Sequence, residues 1–142
     1  MCHQCNYLDL LESSGLGHTR NRHRILEVIG NNDCPLNARD IYSTLRRNYS
    51  INRVTVYRIL DLLVSYGLVD RLSGGGRSFF YGLAPNDLHH PHPHFYCKSC
   101  GNMDCLDPAS LSLNMEPFNR TFPGHIENVE VRIDGICKNC LK

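Results

Sequence analysis

Two pairs of cysteines with the same internal spacing are the residues of this 142-residue chain that most clearly predict chemistry. Cys97 and Cys100 form one Cys-x-x-Cys pair, Cys137 and Cys140 form a second, and 36 residues separate the pairs. Four thiolates suit the tetrahedral coordination of zinc, and a closed site of this kind stabilises a fold rather than catalysing a reaction. We therefore predict a structural zinc site here, with a redox-active pair of dithiols as the alternative.

Two histidines, His92 and His94, precede the first cysteine pair. On a strand, side chains two positions apart project to the same face, so both imidazoles can bind one metal ion. Pro91 and Pro93 exclude a helix in this segment and favour an extended backbone. The histidines therefore indicate either a second metal site or a solvated hinge between two domains.

The remaining cysteines are Cys2, Cys5, Cys34 and Cys105. The N-terminal residues are polar, so we expect no secretory signal and a cytoplasmic protein, whose cysteines bind metals or react as thiols more often than they form disulfides. A thiol redox sensor therefore stays open as an alternative function. No metalloprotease or deaminase motif is found, so we do not expect a zinc enzyme.

The charged residues are distributed unevenly between the two halves of the chain. Residues 1–85 contain ten arginines and no lysine against seven acidic residues, whereas residues 86–142 contain five basic and seven acidic residues. Arginine matches phosphates and guanine edges bidentately, so the basic half favours nucleic acid as a partner. No apolar run approaches the ~18 residues of a membrane span, so no membrane attachment is expected.

The elements that position these residues follow from the apolar spacing. Helical periodicity predicts helices over residues 7–14, 22–29, 38–47 and 53–66. Asn37 and Asn52 are the expected N-caps of the last two helices, and Gly67 is the expected C-terminal stop. Two β-like runs at residues 68–72 and 78–81, joined by a glycine-rich segment, predict a hairpin. Helices followed by a hairpin are the order of a winged helix-turn-helix.

In such a fold the last helix before the wing enters the major groove with its N-terminal residues leading. The residues at the start of the helix at 53–66 offer guanidinium, hydroxyl and phenol groups, which contact base edges and phosphates. Val54 and Val56 are expected to face the core instead. The predicted DNA-binding residues are Arg22, Arg53, Thr55, Tyr57, Arg58 and Arg77.

The C-terminal segment is expected to form a second small domain around the cysteine pairs. Residues 95–96 are β-like, residues 108–118 predict a helix, and residues 129–133 predict a strand with Val129, Val131 and Ile133 facing inward. The expected fold class is α+β, with an N-terminal winged helix-turn-helix and a C-terminal small α/β domain that carries the four-cysteine zinc site. The expected boundaries are residues 1–85, a hinge at 86–94, and residues 95–142.

Together these segments resemble the ferric uptake regulator family, over nearly the whole chain from about Leu16. The resemblance is carried by NRVTVYR at residues 52–58, the glycine-rich wing, HPHFYCKSCG at 92–101 and GIC at 135–137. It implies a homodimeric repressor, with the dimer formed by the C-terminal domain, that binds palindromic, AT-rich operators in double-stranded DNA when its regulatory metal is bound. In that family Tyr57 and Arg58 would face DNA, and Arg22 would lie near phosphate.

The resemblance, which is strongest to zinc uptake regulators, also implies which residues bind the regulatory metal. The family's two sensing histidines correspond to His92 and His94, and its usual acidic ligand corresponds to Cys105. Members that sense zinc take a further ligand from the first wing strand, where Asp70 stands. The implied regulatory set is Asp70, His92, His94 and Cys105.

Two further residues, Cys34 and His90, are alternatives for one of these regulatory ligands. A set of one thiolate, two imidazoles and one carboxylate suits tetrahedral zinc better than metals that prefer an oxygen-rich shell. Zinc is therefore the expected second metal, and iron, nickel, manganese or a peroxide-reporting iron are the alternatives. Cys2 and Cys5 are a further potential metal or thiol pair.

Overall fold

The structure, a computed structural model, describes residues 6–32, 34–85, 92–111 and 113–141. Its elements, in chain order, are α1 (Tyr7–Ser13), α2 (Arg20–Gly30), β1 (Leu36–Asn37), α3 (Ala38–Arg46), α4 (Arg53–Ser65), β2 (Val69–Ser73), β3 (Phe79–Leu83), β4 (His94–Cys97), β5 (Met103–Cys105), a 3-10 turn (Pro108–Ser110), α5 (Glu116–Thr121) and β6 (Arg132–Gly135). Most of the predicted hinge, residues 86–91, lies outside the described residues. No helix in the described part of the chain is long and apolar enough to cross a membrane.

Side-chain caps begin all four helices of the N-terminal half. Asn37 and Asn52 accept hydrogen bonds from the backbone N–H groups of Asp40 and Thr55, each at 2.8 Å, which confirms both predicted N-caps. Thr19 caps α2 in the same way, so this helix begins two residues earlier than its apolar spacing predicts.

The core of the N-terminal half is formed where α1 to α4 pack against the hairpin. Leu11, Ile25, Leu60 and Leu63 are fully buried and belong to one continuous apolar cluster. Gly67 follows α4 with φ +73°, a conformation that glycine adopts without strain, and the chain then reverses into β2.

The wing is a three-stranded antiparallel sheet with the order β1-β3-β2. Asp70 pairs with Gly82 and Leu72 with Phe80, which confirms the predicted hairpin. The two-residue strand β1 was not predicted, because its length is too short to show an alternating pattern.

The C-terminal sheet has the order β5-β4-β6, with β4 antiparallel to β5 and parallel to β6. Its position after the winged helix-turn-helix confirms the α+β fold class. The single helix predicted over residues 108–118 is wrong: a short 3-10 turn and α5 replace it, and Pro117 lies in the first turn of α5. Proline is compatible with the first turn of a helix but not with its interior, which explains the break.

Two predictions about buried faces are also wrong. Val54 is 57% exposed, whereas Val56, two positions later on α4, is fully buried, because residues two positions apart project from nearly opposite faces of a helix. The predicted strand at residues 129–133 occupies 132–135 instead, and Val129 and Ile133 are exposed rather than inward. Both side chains are therefore exposed to solvent in the single chain.

The wing contacts the C-terminal domain through a small second core. Leu72, Phe80 and Met103 form this buried cluster, with Tyr96 packed against it. The rings of Phe80 and Tyr96 meet edge to face with their centroids 6.2 Å apart. The two domains therefore share an apolar contact between the wing hairpin and the sheet that carries the cysteine pairs.

Candidate metal centres and nucleic-acid interface

The four paired cysteines come together at one end of the C-terminal sheet. Because β4 and β6 run parallel, Cys97 at the end of β4 pairs in register with Gly135, and the second cysteine pair follows directly. The sulfur atoms of Cys97, Cys100, Cys137 and Cys140 all lie within 4.8 Å of one another. The structure thus joins two pairs that are far apart in the chain.

The local backbone turns each cysteine pair into a compact loop. Gly101 has φ +78°, and its N–H donates to the carbonyl oxygen of Cys97 at 2.9 Å. In the second loop, the N–H of Cys140 donates to the carbonyl oxygen of Cys137 at 3.0 Å. These turns direct both side chains of a pair to the same point.

The spacing of the sulfur atoms fits a metal and not a disulfide. Cys100 Sγ and Cys137 Sγ are 3.9 Å apart, whereas a disulfide requires about 2.05 Å. Four sulfurs at about 2.3 Å from a tetrahedral zinc ion are separated by roughly 3.8 Å. The donor set and its geometry therefore fit a structural metal site.

Backbone N–H groups surround the buried Cys97 thiol. The N–H groups of Cys100 and Cys137 lie 3.5 and 3.3 Å from its Sγ. These donors stabilise the thiolate and lower the pKa of Cys97 to about 6. Thiolates are the form in which cysteine binds metals, so the backbone contributes to the suitability of this site.

A second cluster is formed by His92, His94 and Cys105, whose ligand atoms also lie within 4.8 Å of one another. His94 on β4 pairs in register with Cys105 on β5, so the antiparallel ladder brings these two side chains together. The rings of His92 and His94 have centroids 4.6 Å apart. Two imidazoles and a thiol form a mixed nitrogen and sulfur donor set.

Asp70 lines the same cavity as this cluster but does not belong to the group of three. The cavity has a volume of about 730 Å³ and is bounded by residues of both domains. Burial raises the pKa of Asp70, and the negative charge of Glu130 raises it further. Asp70 and Glu130 both line the cavity, so a cation bound there would reduce the repulsion between their charges.

Cys34 also lines this cavity, and it does not belong to the group of three. Its thiol donates a hydrogen bond to Oδ1 of Asp104 at 3.0 Å. Burial and the Asp104 carboxylate raise the pKa of Cys34 to about 11. His90, the other alternative ligand, and the Cys2 and Cys5 pair lie outside the described residues.

The sequence did not identify the two carboxylates beside these groups. Asp104 directly precedes the predicted ligand Cys105 on β5, so its position in the chain could have identified it as part of the site. Glu130 is 60 residues from Asp70, and no motif connects them. Only the packing of the wing on the C-terminal sheet places Glu130 and Asp70 at the wall of one cavity.

Helix α4 is the predicted reading helix, that is, the helix expected to enter the major groove of DNA. Its first residues are accessible. Arg53 and Arg58 are exposed, Tyr57 is 45% exposed, and Thr55 is partly exposed. Arg77 is exposed in the loop of the wing hairpin. These side chains are therefore accessible to a partner.

Arg22 is held differently from the other predicted DNA-binding residues. It is partly buried on α2, and its Nη1 donates to the carbonyl oxygen of Leu16 at 3.0 Å. This bond ties α2 to the glycine-flanked loop between α1 and α2. Arg22 therefore supports the loop and presents part of its guanidinium to solvent.

Comparisons with known proteins agree with this architecture. The model of the ferric uptake regulator family matches residues 13–131. The ferric uptake regulation protein of Bacillus subtilis (strain 168) is 30% identical over 132 residues, which cover 92% of this chain and 89% of that protein. The crystal structure of the Vibrio cholerae ferric uptake regulator aligns with a TM-score of 0.75 and 25% identity, over 93% of this chain and 100% of that one.

The fold is shared more widely. The Campylobacter jejuni peroxide stress regulator aligns with a TM-score of 0.71 and 24% identity, over 96% of this chain and 100% of that one, which shows likeness of fold. Because the family model covers most of the chain and the fold agrees, we conclude that this chain belongs to the ferric uptake regulator family, whose members are metal-responsive, DNA-binding transcription regulators and not enzymes.

Proposed function

We propose that this chain forms a homodimer that represses transcription by binding palindromic, AT-rich operators when zinc fills its regulatory site. The observation that carries this proposal is the cluster of His92, His94 and Cys105. The cluster lines a cavity whose other walls include wing residues such as Asp70. A metal site between the two domains couples metal binding to their relative arrangement.

The donor chemistry supports zinc as the regulatory metal. Imidazole nitrogen and thiolate sulfur are preferred zinc ligands, and a carboxylate from Asp70 would complete a tetrahedral set. Iron and manganese sites with more oxygen ligands match this set less well. We assign zinc to the four-cysteine site as well, because four thiolates at tetrahedral spacing are typical of structural zinc.

The N-terminal domain supplies the DNA interface of the proposed repressor. We propose that Tyr57 and Arg58 on α4 contact base edges, and that Arg22, Arg53 and Arg77 contact phosphates. The exposed phenol and guanidinium groups at the start of α4 support the first part. The excess of arginine over acidic residues in residues 1–85 supports the second.

Exposed apolar side chains in the C-terminal part of the chain support the homodimer. Eight large apolar side chains of the C-terminal part are between 40% and 66% exposed in the single chain. A monomer rarely leaves so much apolar surface in one region, whereas a symmetric partner would bury it. The side chains are Leu111, Leu113, Phe118, Phe122, Val129, Ile133, Ile136 and Leu141.

The proposed coupling depends on where the ligands lie in the fold. Asp70 belongs to β2 of the wing, Cys105 belongs to β5, and the two histidines belong to the start of β4 and the residues before it. When bound, zinc would supply bonds to both domains at once. The wing would then be held at one angle to the C-terminal domain, which fixes the distance between the two reading helices of a dimer. A ligand shifts such an equilibrium only through its differential affinity for the competent arrangement.

The test combines metal analysis with DNA binding. Protein purified without chelator is expected to contain two zinc ions per chain, and mild chelation is expected to remove one together with binding to an AT-rich palindrome. His94→Ala or Cys105→Ser should abolish the metal-dependent part of DNA binding while the protein stays dimeric by light scattering. His125→Ala, at an exposed histidine of the same domain, is the matched control and should leave the response unchanged.

Two results would contradict the proposal in different ways. If both variants keep the full metal response, the regulatory site lies elsewhere. If wild-type protein binds the palindrome only with iron, nickel or manganese, or releases it on peroxide treatment, zinc is not the regulatory signal. The proposed regulatory function of the site would then stand, but its metal or its chemistry would be different.

A further inference from the structure

Tyr42 on α3 contacts two arginines that lie on either side of the turn between α3 and α4. The guanidinium carbon of Arg53, the first residue of α4, is 5.2 Å from the centre of the Tyr42 ring. The guanidinium carbon of Arg46, the last residue of α3, is 5.9 Å from the same centre. Both distances are within the range of a cation–π contact, which extends to about 6 Å.

The charge of this cluster is not balanced within the described part of the chain. Arg46 and Arg53 are exposed, and neither forms an ion pair with a described acidic residue. Two guanidinium groups that share one ring repel each other, and the attraction of the ring for cations offsets only part of that repulsion. An anion bound next to the two guanidinium groups would therefore stabilise them. These groups lie at the turn that leads into α4, the proposed reading helix.

We propose that Tyr42 is a positioning residue for DNA binding, which holds the guanidinium groups of Arg46 and Arg53 so that they contact the phosphate backbone. This inference rests on the proposed function of α4 as the reading helix. A guanidinium that stacks on a ring keeps its N–H groups free at the edge, and these groups match phosphate oxygens bidentately. Tyr42 is partly buried, so its ring is fixed by the core while the two cations face solvent.

The inference also divides the roles of the arginines on α4. Arg53 is drawn toward α3 by Tyr42, and we therefore assign it to phosphate rather than to a base edge. Arg58, one and a half turns further along α4, makes no such contact among the described rings and stays available for base readout. Replacement of Arg53 should therefore weaken binding equally on all sequences, whereas replacement of Arg58 should relax sequence preference.

The experiment compares Tyr42→Leu with Tyr42→Phe in the full-length, metal-loaded protein. Affinity is measured over a salt series for two duplexes of equal length: an AT-rich palindrome selected from a random pool by the wild-type protein, and a mixed-sequence duplex. Tyr42→Leu should weaken binding to both duplexes by about three- to tenfold and reduce the salt slope by about one. Tyr42→Phe keeps the ring and should bind as wild type does. Tyr66→Leu, at an exposed tyrosine of the same domain, is the control.

Several outcomes would overturn the inference. Tyr42→Leu removes core contacts as well as the ring, so Tyr42→Met, which keeps more apolar volume in the core, must show the same loss. Unchanged affinity and salt slope in a folded Leu or Met variant would exclude a positioning role. An equal loss in Tyr42→Phe would mean that the hydroxyl group itself contacts DNA. If wild-type protein binds neither duplex with any metal, the proposed function fails as well, whereas wild-type binding with an unaffected Leu variant contradicts this inference alone.

Discussion

Arg132 of the C-terminal domain donates a hydrogen bond from Nη1 to the backbone carbonyl oxygen of Ser73, 3.0 Å away at the end of wing strand β2. The same nitrogen donates to the carbonyl oxygen of Gly74 at 2.8 Å. Glu130 accepts a hydrogen bond from the backbone N–H of Ser73 at 3.1 Å. Residues of the C-terminal domain therefore form hydrogen bonds with both the backbone N–H and the backbone carbonyl of Ser73, which lies three positions beyond Asp70.

Removal of the Arg132 side chain should loosen the wing. Arg132→Ala deletes the hydrogen bonds to Ser73 and Gly74, and we expect the contact between the domains to weaken by about 1–2 kcal/mol. Hydrogen exchange of the wing amides should become faster, because local opening costs less free energy. Arg120→Ala on the exposed side of α5 is the control. Unchanged wing exchange in Arg132→Ala would show that the apolar cluster alone holds the wing.

Loss of one structural ligand should unfold the C-terminal domain. Cys137→Ser removes one of the four sulfurs, and structural zinc in small domains contributes an apparent binding free energy of about 10–16 kcal/mol. We expect one fewer metal ion per chain by elemental analysis and loss of the dimer by light scattering. Cys34→Ser, which lies outside this cluster, should keep both. A Cys137→Ser protein with unchanged metal content would show that the four sulfurs do not bind one ion.

The fourth regulatory ligand can be identified by a matched pair of variants. Asp70→Asn removes a charge at constant volume and should lower zinc affinity at the regulatory site by about tenfold or more, measured by competition with a chromophoric chelator. Cys34→Ser should change it little, because Cys34 lies outside the group of His92, His94 and Cys105 and its thiol is hydrogen-bonded to Asp104. The reverse result, with the larger loss in Cys34→Ser, would assign the fourth position to Cys34.

Tyr7 should make stability depend on pH in the alkaline range. Burial, with a smaller effect of the Glu27 charge, raises the pKa of Tyr7 above its ordinary value of 10.0. A raised pKa means that the folded state favours the neutral phenol, so this contribution to stability is complete below pH 10 and is lost as pH rises through the folded-state pKa. Tyr7→Phe removes the hydrogen bond to Asn31, at a cost of roughly 1 kcal/mol at neutral pH.

The measurement for Tyr7 is a pair of urea unfolding series at neutral pH and above pH 10. The wild-type protein should lose more stability between the two than Tyr7→Phe, so the difference between the proteins should shrink. A constant difference would mean that Tyr7 titrates as an exposed phenol does.

Local signals were the most informative part of the sequence. Asn37 and Asn52 act as N-caps because a side-chain oxygen three residues before a free backbone N–H satisfies it without help from the rest of the fold. Gly67 could be predicted as the end of α4 for the same reason, because its φ of +73° depends on the residue type at that one position. The prediction at Val129 failed because an alternating pattern does not specify what covers each face. The prediction at Val54 failed although helical periodicity already separates Val54 from Val56.

The sequence by itself determined the winged helix-turn-helix order, the two cysteine pairs and the two histidines, since each depends on spacing within a short segment. Only the tertiary structure decided that Asp70 and Cys34 line the cavity beside His92, and that Arg132 holds Ser73. Those relationships join residues on different elements up to about 60 positions apart. They depend on how two domains pack, and packing is set by the sum of many contacts rather than by any local pattern.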